Sequence, residues 1–385
     1  MTISSRSKPY DIPKYSLTGD LLSFLKCRMQ YRFFNKGSLP PSTPVQMWFG
    51  EFIHGVMEEG FLKYRKDKED GTLKLPWDFK TVQEISMGVA KRLEKKGLKP
   101  YLRLFIMDDD IEKCKNGLAN RRAYLSLYTW ATHLFPLIDA NEVKLEDIRP
   151  MKDPNSSRSD YYAVTGIADV ITSINLNDIK ADNKVMQYLM ANPNIADFFE
   201  NYTEFEIIVD YKGTMRPKTN DPEWKYHEWQ LNTYMWLRIN QLKAQGIDHP
   251  VIAGVLLYLN ELCPTPGYEG DLLAAIESGT TDVVPSAVDL RALKDNQSPT
   301  DRYKRDRCIR IVPYDEENIN NSLKEFDQVV LDIEKCVQSE IKDSSDVMKH
   351  WCYSKDIFQK ERCTACDAQF FCENIKNQRF PPLVP

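Results

Sequence analysis

Two apolar stretches, residues 205–211 (FEIIVDY) and 251–260 (VIAGVLLYLN), constrain this chain more than any other feature. They are β-branched, aromatic and bounded by polar, Asn- or Asp-bearing loops, so they read as strands. A helical pattern at about 226–245 separates them, and a third strand-like stretch, 161–174 (YYAVTGIADVITSI), precedes them. The spacing predicts a small α/β core near residues 155–260. The longest uninterrupted apolar run, starting at Val251, has nine residues, short of the ~18 that a membrane span needs. No membrane partner is therefore expected.

The text on either side is helical. Residues 16–34 place Leu21, Leu25, Cys27 and Tyr31 near one face, with Ser16 or Thr18 as N-cap. Residues 44–65 carry Trp48, Phe52 and Val56 at four-residue spacing. Further helices are predicted at 81–96 and 108–135, the latter opening on Asp108, Asp109 and Asp110, which suits the positive end of a helix. After the core come an insertion with little periodicity at 264–300, a strand at 307–313 and a long amphipathic helix at 315–340. The predicted division is an N-terminal helical region at 1–150, a core at 151–262, an insertion at 263–300 and a cysteine-bearing C-terminal part at 301–385.

At 385 residues, 42% hydrophobic and 28% charged, the chain has ordinary globular proportions, which excludes wholesale disorder. Nine cysteines are too sparse for a disulfide scaffold, and the opening MTISSRSKPYD has no apolar signal core. A reducing, cytoplasmic setting is expected. The formal charge of −5 offers no bulk attraction to nucleic acid.

The chemistry concentrates where the strand at 205–211 ends in Asp210-Tyr211-Lys212. Side chains two apart on a strand share a face, so Asp210 and Lys212 are expected to point at one site. A carboxylate can hold a divalent cation that polarises a phosphate and lowers the pKa of a bound water. A neighbouring lysine can orient that water or stabilise developing negative charge. The same acid-x-Lys spacing recurs at Glu94/Lys96, Glu142/Lys144, Asp178/Lys180, Asp182/Lys184 and Glu223/Lys225, but in polar, helical or loop-like text. Taken alone, the triplet reads as a strand-end ion pair. Asp169, in Gly166-Ile167-Ala168-Asp169, puts a second acid into an apolar stretch, where an unpaired carboxylate is costly. Gln230 and Tyr234 lie one helical repeat apart over one sheet edge. His54 sits on a helix among Trp48, Phe52 and Met57, where a histidine is more commonly a core or boundary residue than a ligand.

The ordered set Gly50-x3-His54, Gly166-x2-Asp169, Asp210-x-Lys212, Gln230-x3-Tyr234 resembles the RecB-like branch of the PD-(D/E)XK nuclease superfamily. The resemblance covers these motifs and both cysteine-bearing ends, not residues 66–150 or 264–300. It implies a restriction-endonuclease-like mixed sheet flanked by helices. It further implies that His54, Asp169, Asp210 and the Tyr211 carbonyl bind Mn²⁺ or Mg²⁺, that Lys212 is catalytic, and that Gln230 and Tyr234 support the site and touch DNA. Imidazole is softer than carboxylate, which tilts the choice toward Mn²⁺. The long Asn-rich connection between Ile174 and Phe205 departs from the pattern of paired strands.

Cys363, Cys366 and Cys372 crowd three thiols into ten residues, which in a reduced chain points to metal rather than disulfide. Cys27 is the leading candidate for the fourth ligand and Cys352 its rival. In RecB-like nucleases with an iron–sulfur cluster, a cysteine on the first helix joins such a C-terminal trio, and Cys27, Cys363, Cys366 and Cys372 match that arrangement. The resemblance implies a [4Fe–4S] cluster; Zn²⁺ on the same thiolates is the alternative. Cys114, Cys263, Cys308 and Cys336 read as ordinary thiols.

Basic residues cluster in three groups: Lys26, Arg28, Arg32 and Lys36; Lys91, Arg92, Lys95, Lys96, Lys99 and Arg103; and Arg302, Lys304, Arg305, Arg307 and Arg310. Solvated helix faces explain most such runs, while the aromatics near them suit stacking on single-stranded bases. The expected function is a metal-dependent DNA nuclease, an exonuclease on single strands or duplex ends. With no P-loop of its own, it would act alone or lend its nuclease to a helicase or another DNA-processing complex. The alternative is a non-catalytic nucleic-acid-binding or assembly subunit that keeps the fold.

Overall fold

Burial on both faces makes the central strands of this protein continuous apolar runs, and the helices between them supply the cover. The computed structural model describes residues 12–36, 45–100, 104–344 and 347–351 together with Cys363, Cys366 and Cys372. Its strands are β1 (Lys14–Ser16), β2 (Ile138–Pro150), β3 (Tyr161–Thr172), β4 (Ile174–Asn175), β5 (Glu204–Lys212), β6 (Val251–Tyr258) and β7 (Ile309–Pro313). The chain forms two compact units, each assembled from separated segments: 1–44, 144–166 and 316–385 in one, 45–143 and 167–315 in the other.

The larger unit, 45–143 with 167–315, contains a mixed open sheet flanked by helices. The later half of β3 runs antiparallel to β5 (Val170↔Val209), β5 parallel to β6 (Asp210↔Leu256, Lys212↔Tyr258), and β6 antiparallel to β7 (Leu256↔Arg310). A parallel β5–β6 pair demands a crossover, supplied by the helix Pro222–Ala244. Asp221 starts that helix by accepting from the Glu223 N–H. Alternation along β5 sends Ile207, Val209 and Tyr211 into a core shared with Trp48, Phe52 and Val56 of the helix Val45–Glu69. The residues between them, including Asp210, take the opposite direction. Helices Phe79–Lys95 and Leu118–Leu134 complete this core.

The smaller unit pairs β1 in parallel with the first half of β3 (Tyr15↔Val164). Its long helix, Glu316–Lys342, carries acids that receive arginines from distant segments. Asp327 takes both hydrogen bonds of an Arg149 fork, at 2.8 and 2.7 Å. Asp332 meets Arg28 at 2.8 Å, and Glu340 pairs with Arg32. Glu334, with no exposed side-chain surface, accepts from Arg158 and from the Tyr15 hydroxyl. The unit is thus organised by an acidic helix as well as by apolar packing.

Several expectations need correction. Residues 138–150, predicted within a helical region, form β2, an edge-like strand whose charged side chains alternate outward. The helix expected over 16–34 is interrupted: Ser16 does cap its start, but the backbone at Cys27 is extended (φ −165°, ψ 110°) between two short helical turns. The helix expected from Asp108 breaks at Gly117, so that Asp110 caps only Ile111–Cys114. The insertion is helical, with Tyr268–Glu277 and Ala287–Lys294. The Asn-rich connection holds Lys184–Met190 and Ala196–Asn201. Among the described residues, no helix is long and apolar enough to cross a membrane.

Candidate active site

The sequence-predicted residues Asp169, Asp210, Lys212, Gln230, Tyr234 and His54 all fall in the larger unit, and they converge. The β3–β5 register carries Asp169 to the end of β5, where its Oδ2 accepts from the Tyr211 N–H at 2.7 Å. His54 Nδ1 lies 3.2 Å from the same oxygen. On β5, Lys212 Nζ lies 2.6 Å from Asp210 Oδ2. Gln230 ties the pair together: its Oε1 accepts from Lys212 Nζ at 2.7 Å, and its Nε2 donates to Asp210 Oδ1 and to the Tyr234 hydroxyl, both at 3.2 Å.

Two glycines permit this convergence. A Cβ on Gly213 would lie 3.1 Å from Ile53 Cγ2 and 3.3 Å from Gly50 Cα, so the His54 helix rides close over the end of β5. A Cβ on Gly254 of β6 would lie 2.9 Å from Leu231 Cβ, so the crossover helix sits low enough for Gln230 to reach the carboxylate. Gly254→Val is expected to destabilise the protein by about 1–3 kcal/mol through overpacking. Chemical denaturation reads this directly, and an unchanged midpoint would contradict the close approach.

Charge is tightly managed here. Asp210 keeps only 4% of its side chain exposed. Burial drives its carboxyl up, Lys212 opposes this, Asp169 adds to it, and the net direction is upward. Desolvation alone would lower the His54 imidazole, but the Asp169 carboxylate beside it, with Asp210 beyond, pushes it up to about 9. Burial pushes the Tyr234 hydroxyl well above its usual range, so it stays protonated.

Asp210 Oδ2, although ion-paired with Lys212, is buried and accepts no hydrogen bond of good geometry. A buried carboxylate beside a second carboxylate and an imidazole fits a divalent cation in donor chemistry. Among the described residues, no group of three or more His, Cys, Asp or Glu side chains is arranged to hold a metal ion. The side chains instead neutralise one another.

Three acids near this site escaped the sequence reading. Glu142 on β2, set aside with the other acid-x-Lys pairs, is pushed up by burial first and then by the nearby charges of Asp169 and Glu58. Its backbone is left-handed, φ 52°. Glu51 and Glu58 stand three before and four after His54 on the same helix, a spacing that places all three on one face. Helical periodicity around His54 was the available signal for the last two; for Glu142 there was none.

In the smaller unit, Cys27 Sγ accepts from the Gln30 N–H at 3.4 Å. Burial raises its thiol first; the backbone donors Gln30 and Met29 oppose this, and the neighbouring Cys372 and Cys363 add to it. The Cys366 N–H donates to the Cys363 carbonyl at 3.3 Å. All four cysteines are half-buried and free of disulfides. Thiols from opposite ends of the chain thus lie within electrostatic reach, and their chemistry fits a thiolate-bound metal group. Cys352 lies outside the described residues. Cys114, Cys308 and Cys336 are buried thiols.

The basic groups are largely engaged. Arg92 meets Glu59 at 2.5 Å and Glu58 at 3.3 Å. Arg307 pairs with buried Glu261 at 2.7 Å, and Arg310 with Asp282 at 2.9 Å. Arg103 lies outside the described residues. The chain's sequence matches no known protein family and no curated protein.

Proposed function

We propose that the protein is a metal-dependent deoxyribonuclease with a restriction-endonuclease-like core of the RecB-like type, acting as an exonuclease on single strands or DNA ends. The observation that carries this reading is the Asp210–Gln230–Lys212 bridge: a buried carboxylate and a lysine on one strand, locked by one glutamine, with Asp169 and His54 adjoining. Structural ion pairs at a strand end do not need an imidazole and a second carboxylate at the same point.

His54, Asp169, Asp210 and the Tyr211 carbonyl would hold Mn²⁺ or Mg²⁺. When bound, such a cation supplies Lewis-acid polarisation of a phosphate and a water of lowered pKa. Lys212 Nζ is held by two oxygen partners and is only 15% exposed, so its charge is fixed and weakly screened. It is placed to orient the attacking water or to stabilise negative charge that builds on the phosphate oxygens. Gln230 keeps the ammonium in place, and Tyr234 fixes the Gln230 amide. In this reading Cys27, Cys363, Cys366 and Cys372 hold a [4Fe–4S] cluster that joins the chain ends, with Zn²⁺ as the alternative occupant.

Digestion of 5′- and 3′-labelled single strands with Mn²⁺, against a chelator control, tests the activity. Release of mononucleotides or short products is expected; inertness toward several metals and substrates would instead favour a non-catalytic nucleic-acid-binding subunit. Anaerobic purification followed by iron and sulfide assay tests the cluster. Cys363→Ala is expected to lose iron and melt at lower temperature, and full iron content in that variant would remove the assignment.

A further inference from the structure

Within the larger unit, the third basic group divides. Arg307 and Arg310 are buried against Glu261 and Asp282, whereas Lys304 and Arg305, on the helix Asp301–Cys308, line a cavity of about 270 Å³. Lys184, His133 and Tyr128 come to the same cavity from two other helices. None of these residues belongs to the carboxylate–lysine site.

We propose that this cavity binds a backbone phosphate of single-stranded DNA, with Lys184, Lys304 and Arg305 as the cationic contacts and Tyr128 as a platform for an adjacent base. The proposal rests on the nuclease reading for the identity of its ligand.

Charge and exposure both support it. Asp301 is the acidic residue among the described lining residues; it stands 3.4 Å from Lys304 but is 98% exposed, so water screens it. Lys304 itself is only 18% exposed. Lys184 donates to a neutral partner, Gln187 Oε1, at 3.0 Å. Arg305 Nε is buried without a hydrogen-bond partner, while the same side chain also bears on the Tyr188 hydroxyl. His133 is held below its usual range first by burial and then by Lys184, with Asp182 opposing and Arg305 adding to it. Tyr128 leaves 47% of its surface in water and meets the Tyr124 ring at 5.4 Å. A cationic recess beside a half-exposed aromatic pair is the combination that holds single strands: charge takes the phosphate and the ring takes the base.

The test is fluorescence anisotropy of labelled oligothymidylate bound to the full chain, in chelator so that no strand is cut, over a range of salt. Lys184→Gln/Lys304→Gln/Arg305→Gln is expected to bind about tenfold more weakly, with the slope of log affinity against log salt shallower by about 0.7 for the one phosphate no longer neutralised. Thermal melting checks the fold, and the single variants Lys184→Gln and Lys304→Gln serve if the triple variant is unstable. Unchanged affinity and slope in folded variants overturns the proposal and leaves the nuclease reading standing. Wild-type protein that cleaves no strand with Mn²⁺ yet binds through the cavity would count against the nuclease reading alone. A wild-type chain that binds no oligothymidylate overturns both. If inorganic phosphate raises the melting temperature while strand affinity ignores the three charges, the cavity belongs to a free phosphate and the proposal fails.

Discussion

Lys212→Ala is expected to leave Mn²⁺ binding close to wild type while cutting the strand-cleavage rate by about 10²–10³, the typical cost of losing one group that stabilises transition-state charge. Asp210→Asn is expected to lose both. The two variants separate because the residues, although paired at 2.6 Å, differ in chemistry. In the proposed site Asp210 would be a metal donor, and its buried Oδ2 accepts no well-aligned hydrogen bond, so removing its charge would remove that donor. Lys212, in the proposed role, would bind no metal and would act on the substrate through its ammonium. Gln230 makes the experiment interpretable, because its amide remains to hold the surviving partner. Mn²⁺ binding by electron paramagnetic resonance and single-turnover cleavage read the two properties independently. Equal loss of metal binding in both variants would show that Lys212 acts only by shaping the carboxylate.

The second large effect concerns stability in the smaller unit. Glu334→Gln is expected to destabilise the protein by about 2–3 kcal/mol. Breaking a buried pair costs about 3–5 kcal/mol, and the half-exposed Arg158 side chain recovers part of this from water. Burial pushes the Glu334 carboxyl up, but the hydrogen bonds and charge of Arg158, with the Tyr15 hydroxyl, more than reverse this and hold it below the usual range. The sign of the pH dependence follows. A depressed folded value contributes stability that is fully present above the ordinary glutamate value of about 4.3 and is lost as pH falls through the folded value. The gap between wild type and Glu334→Gln should therefore be constant near neutrality and narrow in acid. A gap that widens as pH falls would reverse the assignment.

What could be read in advance follows physical lines. β5, β6 and the intervening helix were legible because double-sided burial writes itself as a β-branched run and a crossover writes itself as helical text. Strand periodicity pairs Asp210 with Lys212 and helix periodicity pairs Gln230 with Tyr234, but only the ordered resemblance implied that the two pairs share a site. β2 was not, since the ANEVKLED alternation of charge with isolated apolar residues resembles a polar helix, and Glu142 went with it. The break at Cys27 has no local marker; no Gly or Pro adjoins it. Nor could sequence separate free from engaged basic residues. Arg28 and Arg32 find Asp332 and Glu340, and Arg307 finds Glu261, only once distant segments come together. Lys184 and Lys304 join one cavity for the same reason.

The role given to His54, Asp169, Asp210 and Lys212 is tested most directly by diffraction from crystals soaked in Mn²⁺, using anomalous scattering at the manganese edge. The expected result is a peak bounded by the His54 ring, the Asp169 and Asp210 carboxylates and the Tyr211 carbonyl, absent in Asp210→Asn. Well-ordered crystals with no peak there, or with manganese bound only elsewhere, would contradict a metal-dependent phosphodiesterase site on this strand.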